Sequence, residues 1–118
     1  MKMAKTNMYL LNLIKDLEQI SNKEKVNLWK RIANDLNKPT RRRRVVNLSK
    51  IERYAKDNET IVVPGKVLAS GDLNRKLTIA AYQFSEQARE KINRNGTALT
   101  IRELLAKNPK GRKTRILG

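Results

Sequence analysis

The sequence predicts a mixed α/β (α+β) fold: a compact strand-and-helix core preceded by N-terminal helices, with basic extensions. Three observations support this prediction. Apolar residues recur at helical spacing in the first third of the chain, β-branched runs fill its middle, and helix start signals return after residue 84. The 118 residues leave room for one domain. We predict a helical basic N-terminal extension at residues 1–46 and a mixed α/β core with a basic C-terminal tail at residues 47–118.

The first third of the chain predicts two helices with a short link. Thr6 is a candidate N-cap, and the first helix has an apolar face with helical spacing. That face consists of Leu10, Leu13, Ile14, Leu17 and Ile20. Ser21-Asn22-Lys23-Glu24 has the pattern of a capping box and predicts the start of the second helix. The second helix has its own apolar stripe and ends at Pro39, and its Trp29 is expected in the core of an antiparallel hairpin.

The middle of the chain predicts a short helix followed by three strands. Asn47 is a candidate cap for the helix. The β-branched residues 60–63 predict a strand, and Pro64-Gly65 predicts a turn that separates it from a second strand at residues 66–69. Residues 76–84 carry apolar side chains on both faces, which is typical of a central strand covered on both sides.

The last third predicts two more helices and a final strand. Ser85 is the expected cap of one helix, and Asn95-Gly96 is its expected end. Thr100-Ile101-Arg102-Glu103 is a second capping box, and the helix that it starts should end at Asn108-Pro109. Residues 114–117 are compatible with an edge strand.

The composition excludes several classes of function. The chain has 27 Lys and Arg against 11 Asp and Glu, a net charge of +16, and it contains neither cysteine nor histidine. Without cysteine there is no disulfide, thiol nucleophile or iron–sulfur ligand. Without histidine the commonest general base is missing, and a zinc site loses both of its usual ligand types. We therefore expect no metal and no cofactor.

No catalytic motif is complete. Gly65-Lys66-Val67 resembles the end of a phosphate-binding loop, but the upstream glycine and the magnesium-binding Ser or Thr are missing. Glu86 and Glu90 form a close carboxylate pair, which is better explained by the dipole at a helix start. The apolar run at residues 8–14 is too short to cross a membrane and is not followed by a cleavage site. We expect an intracellular chain that is not an enzyme and has no membrane or small-molecule partner.

The positive charge is concentrated towards the two ends. Residues 1–46 carry 12 basic and 4 acidic side chains, and residues 107–118 carry 5 basic side chains and no acidic one. Blocks of like charge are expected to extend until a counter-charge gathers them, and arginine forms bidentate contacts with phosphate. The few aromatic side chains argue against a platform for stacking single strands, so backbone and shape recognition of folded RNA fits better.

The predicted RNA-binding residues come from the two basic blocks and from positions beside the predicted turns. They are Lys38, Arg41, Arg42, Arg43, Arg44, Lys66, Lys76, Lys110, Arg112, Lys113 and Arg115. Two alternatives remain. The first is a DNA-binding helix-turn-helix, in which the second helix would present its exposed polar side chains to a groove. These are Lys23, Lys25, Asn27, Lys30, Arg31 and Asn34. The second is a basic protein that binds an acidic protein.

Four ordered blocks resemble the large-subunit ribosomal protein eighteen family of archaea and eukaryotes, which is related to bacterial large-subunit protein fifteen. The blocks are residues 38–51 (KPTRRRRVVNLSKI), 61–68 (IVVPGKVL), 80–85 (AAYQFS) and 108–111 (NPKG). The short chain is similar to archaeal members. The resemblance implies a cytoplasmic, structural component of the ribosome that binds large-subunit ribosomal RNA beside neighbouring ribosomal proteins. It also implies an irregular superhelix of strands and helices and no catalysis.

Overall fold

A computed structural model describes residues 8–38 and 44–117. Within these ranges the chain forms five helices and five strands. The helices are α1 (Met8–Glu24), α2 (Asn27–Leu36), α3 (Leu48–Tyr54), α4 (Glu86–Asn95) and α5 (Ile101–Lys107). The strands are β1 (Arg44–Asn47), β2 (Thr60–Leu68), β3 (Thr78–Phe84), β4 (Thr97–Thr100) and β5 (Thr114–Ile116). The prediction of a mixed α/β fold is confirmed.

The five strands form one sheet in which every pairing is parallel. On one side of β2 lies β3, followed by β4. The other side of β2 is shared, because β5 pairs with its first residues and β1 with its last. Two parallel strands that pair must be joined by a connection that crosses over the sheet. Along the chain, α3 lies between β1 and β2, α4 between β3 and β4, and α5 between β4 and β5.

The sheet separates two apolar clusters, one on each face. Residues of α3 and α4 pack against one face, as Ile51 and Ile92 do around Ile79. Residues of α1, α2 and α5 pack against the other, where Trp29 and Leu104 share a cluster with Ala80. The adjacent strand residues Ile79 and Ala80 are both fully buried, on opposite faces. The prediction that this strand is central and covered on both sides is confirmed.

The predicted start of the second helix is wrong. The structure continues α1 through residues 21–24, and Ser21 is buried inside it, where its hydroxyl donates to the carbonyl oxygen of Val26. The chain reverses at Lys25, whose φ is 58°, and α2 begins at Asn27 with no side-chain cap. The link is two residues long, and the two helices pack together as the hairpin prediction requires.

The predicted turn at Pro64-Gly65 is also wrong. Both residues lie inside β2, which is continuous from Thr60 to Leu68. The pairing with β3 shifts register between Val63 and Lys66. This irregularity accommodates Pro64, which has no backbone N–H to donate to a neighbouring strand. Gly65 lies so close to β1 that a Cβ there would overlap the carbonyl oxygen of Arg44. A glycine is therefore needed for strand contact at this position rather than for a turn.

The local signals in the last third of the chain are confirmed. The Ser85 hydroxyl accepts a hydrogen bond from the backbone N–H of Ala88, and both bonds of the Thr100–Glu103 capping box are present. Gly96 is the C-cap of α4. Asn47 precedes α3 as predicted, but its side chain makes no capping hydrogen bond. Strands β1 and β4 were not predicted.

The proposed division of the chain after residue 46 stays a prediction. Residues from both sides of that boundary share one apolar cluster, in which Leu17 and Trp29 meet Val62 and Leu105. Thr6 and Pro39 lie outside the described residues. None of the described helices has the length and hydropathy that a membrane span requires.

Candidate nucleic-acid interface

The C-terminal basic block is a folded loop at residues 108–113. The Asn108 side chain organises it: its Nδ2 donates to the carbonyl oxygen of Arg112 at 3.0 Å, and its Oδ1 accepts from the Arg112 N–H at 3.2 Å. The Gly111 N–H donates to the Asn108 carbonyl oxygen at 2.9 Å. Gly111 and Lys113 have φ values of 64° and 52°, which turn the chain back towards the sheet. The expectation of an extended basic tail is therefore wrong for this segment.

Two contacts fix the loop on the rest of the molecule. Pro109 accepts a 2.7 Å hydrogen bond from Nε1 of the fully buried Trp29. At the other end, the carbonyl oxygen of Lys113 accepts a 2.8 Å bond from the N–H of Thr60, where β2 begins. The side chains of Lys110, Arg112 and Lys113 are exposed. Their positive charges are thus held at a defined place on the surface.

This loop lies beside the turn between α1 and α2. A Cβ built on Gly111 would come within 2.9 Å of Leu28 and 3.3 Å of Val26, the residue that follows Lys25 in the turn. Because the loop backbone contacts the helix turn, we group the exposed cations of the two segments under one name, the turn surface. It consists of Lys23, Lys25, Lys110, Arg112 and Lys113. Among the described residues, no carboxylate forms an ion pair with any of these five side chains.

Asp35 holds both ends of the N-terminal basic block. Its Oδ1 lies 3.2 Å from Nζ of Lys38, and its Oδ2 lies 3.3 Å from Nη2 of Arg44. Arg44 is also fixed through its backbone, as the first residue of β1. The predicted contacts Arg41, Arg42 and Arg43 lie outside the described residues. One carboxylate thus joins the two described ends of the arginine-rich segment.

Lys66 and Lys76 are both exposed, but Lys66 is not beside a turn. It lies inside β2, in register with Val45 on one side and Gln83 on the other. All three of these side chains are exposed, so they form a short row across β1, β2 and β3. Lys76 lies in the connection between β2 and β3.

Arg115 is held by an internal carboxylate. Its Nε lies 3.3 Å from Oε2 of Glu59. A 2.9 Å hydrogen bond from the backbone N–H of Lys56 to Glu59, together with the positive charge of Arg115, lowers the pKa of Glu59 below its usual value. Arg115 thus has less of its charge available to an external ligand than the exposed cations of the turn surface.

The connection after β2 is fixed by a second arginine. Arg75 donates to Oε2 of Glu52 at 3.2 Å, to Oδ1 of Asp57 at 3.1 Å and to the carbonyl oxygen of Glu52 at 2.7 Å. Leu73 of the same connection is buried in the core. The sequence alone assigns no role to either residue, because the carboxylates that Arg75 binds lie 18 and 23 positions earlier in the chain.

A groove between α1 and α5 is lined by polar side chains, and an ion pair crosses it. Nη1 of Arg102 lies 2.6 Å from Oδ2 of Asp16, and this carboxylate raises the pKa of the guanidinium. The guanidinium carbon of Arg102 also lies 5.5 Å from the centroid of the Tyr9 ring. Tyr9 in turn stacks against Tyr82 at 6.3 Å between ring centroids. The groove is thus occupied by an internal network.

The six polar side chains named for the DNA-binding alternative are all exposed, as that alternative requires. The helix pair itself differs from a helix-turn-helix, because its link is two residues long and both helices pack on a parallel sheet. Lys23 and Lys25 belong to the turn surface. Sequence reasoning considered these two only for DNA binding, since the contact of Gly111 with the helix turn is not visible in the sequence.

Comparison with known proteins gives one family. A model of the family described as "Ribosomal protein 60S L18 and 50S L18e" matches residues 1–118. The large ribosomal subunit protein eL18 of Methanosphaerula palustris is 50% identical over 117 residues, which cover 98% of this chain and 97% of that protein. The protein of the same name from Archaeoglobus fulgidus is 47% identical over 116 residues, or 98% and 99% of the two chains.

A third relative has the same name. The large ribosomal subunit protein eL18 of Methanothermobacter thermautotrophicus is 44% identical over 109 residues, which cover 92% of this chain and 90% of that protein. The family resemblance seen in four blocks of the sequence is therefore confirmed over nearly the whole length of the chain. The chain belongs to the family of ribosomal proteins 60S L18 and 50S L18e.

Proposed function

We propose that the chain is a structural component of the large ribosomal subunit, where it binds large-subunit ribosomal RNA and contacts neighbouring ribosomal proteins. The observation that carries this proposal is the match to the family over residues 1–118. The relatives are named as proteins of the large ribosomal subunit. The chain then acts in the cytoplasm as part of the ribosome and performs no catalytic step.

The turn surface supports an interface with the phosphate backbone. Its five cations come from two segments more than 80 positions apart, and the fold brings them together without an internal ion pair among the described residues. The loop that carries Lys110 and Arg112 is held by hydrogen bonds within the chain itself. Less ordering is then needed on binding, because the positions of the charges are already set.

The arginine-rich segment forms the second part of the proposed interface. Arg41, Arg42 and Arg43 supply bidentate contacts to phosphate, and Lys38 and Arg44 hold the ends of the segment through Asp35. Lys66, Lys76 and Arg115 complete the set as weaker contributors, Arg115 because Glu59 shares its charge. Contacts of this kind position a protein on folded RNA and read its shape rather than its base sequence.

The test of membership in the subunit is sedimentation of a cell extract on sucrose gradients at low and high salt. We expect the chain to sediment with the large subunit at physiological salt, and to leave that position when the RNA is digested with nuclease. A chain that remains in its complex after complete RNA digestion is held by protein. That result would overturn the proposal in favour of the acidic-protein alternative.

A competition experiment separates the proposal from DNA binding. Purified chain is bound to large-subunit ribosomal RNA and challenged with duplex DNA, with Lys30→Ala and Arg31→Ala variants in parallel. We expect ribosomal RNA to outcompete DNA and both variants to bind it with little change. If a specific DNA duplex displaces the ribosomal RNA, and if either substitution abolishes this displacement, the result would instead support the helix-turn-helix hypothesis.

A further inference from the structure

Tyr54 is an aromatic side chain that the fold leaves outside its core. It is the last residue of α3, and its side chain is 49% exposed. It belongs to neither apolar cluster, although Leu48 and Ile51 of the same helix are fully buried in one of them. The ring therefore faces solvent from a helix whose other side is fixed against the sheet.

Three cations lie within four positions of Tyr54 in the chain. The guanidinium carbon of Arg53 lies 6.0 Å from the centroid of the Tyr54 ring, at the outer limit of a cation–π contact. Lys50 lies four positions earlier, on the same side of the helix as Tyr54, and Lys56 follows just after the helix. All three cations are exposed, and within the described part of the chain none forms an ion pair. We call these four residues the α3 patch.

The nearest acidic side chains do not neutralise the α3 patch. Glu52 and Asp57 are the acids closest in sequence, and both are bound by Arg75, at 3.2 Å and 3.1 Å. The next one, Glu59, is bound by Arg115. These three carboxylates thus share two arginines that lie outside the patch. Lys56 also helps to lower the pKa of Glu59, whereas the charges of Lys50 and Arg53 remain available to an external anion.

The other described aromatic side chains are occupied. Tyr9 is 46% exposed, nearly as much as Tyr54, but its ring contacts both Tyr82 and the guanidinium of Arg102. Trp29 is fully buried, and Phe84 packs against the apolar cluster of α3 and α4, with the guanidinium carbon of Arg89 5.6 Å from its ring centroid. Among the described residues, Tyr54 thus combines high exposure with the absence of an aromatic partner.

We infer that the α3 patch binds one unpaired nucleotide of the large-subunit ribosomal RNA. The base stacks on the Tyr54 ring, and Arg53 with Lys50 or Lys56 contacts the phosphates on either side of it. The nucleotide must be unpaired, because the face of a base inside a duplex is covered by its neighbours. This inference rests on the proposed function and adds to it a contact that reaches a base rather than the backbone alone.

The test compares two substitutions of one residue. Tyr54→Leu keeps an apolar side chain but removes the ring, and Tyr54→Phe keeps the ring. We expect Tyr54→Leu to bind protein-free large-subunit ribosomal RNA about 5-fold to 100-fold more weakly, and Tyr54→Phe to bind within about twofold of the wild type. The dependence of affinity on salt should be the same for all three, since no cation is removed. Equal affinity of Tyr54→Leu and wild type overturns the inference.

Tyr9→Leu is the matched control, because it removes a ring of similar exposure whose faces are already covered. Tyr9→Leu should leave RNA affinity unchanged. An equal loss of RNA affinity in both Leu variants would indicate a general effect on folding and would overturn the inference. Chemical probing of the bound RNA gives a second measurement: one unpaired base should be protected by wild type and Tyr54→Phe but not by Tyr54→Leu. A wild-type chain that does not bind the RNA at all would contradict the proposed function itself.

Discussion

Nε1 of Trp29 donates a 2.7 Å hydrogen bond to the carbonyl oxygen of Pro109, which lies 80 positions later in the chain. The indole is fully buried among residues of α1, α2 and α5. Pro109 belongs to the loop that presents Lys110 and Arg112 to solvent. A core side chain therefore sets the position of part of the proposed RNA interface, and this relationship can be tested without RNA.

Replacing Trp29 by Phe should loosen the basic loop. The substitution keeps an aromatic ring in the core but removes the only N–H of the side chain, so the hydrogen bond to Pro109 is lost. We expect the free energy of unfolding to fall by about 1–3 kcal/mol, from the lost hydrogen bond and the smaller ring. Limited trypsin digestion should cut faster after Lys110, Arg112 and Lys113. An unchanged cleavage pattern in the folded variant would contradict the role of Trp29 in holding the loop.

Gly65→Ala should separate β1 from β2. The added Cβ would overlap the carbonyl oxygen of Arg44, a backbone atom that cannot rotate away. We expect a loss of about 1–3 kcal/mol in the free energy of unfolding, measured by urea denaturation. Lys66→Ala is the control, because its side chain is exposed in the same strand and its loss should change stability by less than about 0.5 kcal/mol. Equal stabilities of the two variants would show that β1 can shift at no cost.

Removing Lys110 and Arg112 should weaken RNA binding more than removing two cations elsewhere. If each contacts one phosphate, the double Ala variant should lower the slope of log affinity against log salt by about 1.4–1.8. The matched control is Arg89→Ala with Arg94→Ala, on α4 at the opposite face of the sheet. Both double variants lower the net charge equally. Identical slopes for the two would mean that total charge, rather than the turn surface, determines binding.

Glu59 should make a contribution to stability that depends on pH. Its pKa is lowered by the hydrogen bond from Lys56 and by Arg115, so its favourable contacts are those of the ionised form. This contribution is complete above the pKa of glutamate in the unfolded chain, and it is lost as the pH falls through the lowered pKa. Glu59→Gln should therefore lower the melting temperature at neutral pH, by an amount that shrinks as the solution is acidified below about pH 4. A difference in melting temperature that does not change with pH would refute this.

Local sequence signals predicted those parts of the fold that depend on local hydrogen bonds. The Thr100–Glu103 box and the Ser85 cap satisfy backbone N–H groups within three residues of the side chain, so the sequence alone shows both partners. The Ser21–Glu24 pattern is the same kind of signal, yet it failed. There, Ser21 is buried within α1 and its hydroxyl donates to the carbonyl oxygen of Val26 instead of capping a helix, and the chain reverses only at Lys25.

Strand order could not be predicted, because it depends on partners far apart in the chain. β1 was not predicted because it begins with the last arginine of the basic block, and only its pairing with Gly65–Leu68 makes it a strand. Pro64-Gly65 looked like a turn because these residues favour turns in isolation. In the fold, a shift of register and the close approach of Arg44 make the same two residues part of a strand.

The candidate interface was predicted in its residue types but not in its geometry. The exposed Lys110, Arg112 and Lys113 stand out in the sequence as an acid-free block. Their hydrogen-bonded loop and its contact with the α1–α2 turn do not, because Trp29 and Val26 lie in a distant segment. The ion pair of Arg115 with Glu59 likewise joins residues 56 positions apart. Charge can be read from composition, whereas the availability of a charge depends on its neighbours in space.

The parallel sheet has a consequence for the biogenesis of the molecule. Thr60 of β2 pairs with Thr114, and Arg44 of β1 pairs with Gly65, after the intervening helix α3. The paired strands are therefore far apart in the chain. Such topologies fold slowly, and the open edge of an unfinished sheet favours aggregation. A net charge of +16 opposes aggregation, because nascent copies repel one another. The same cations that suit an anionic partner would then protect the chain during the interval before that partner is reached.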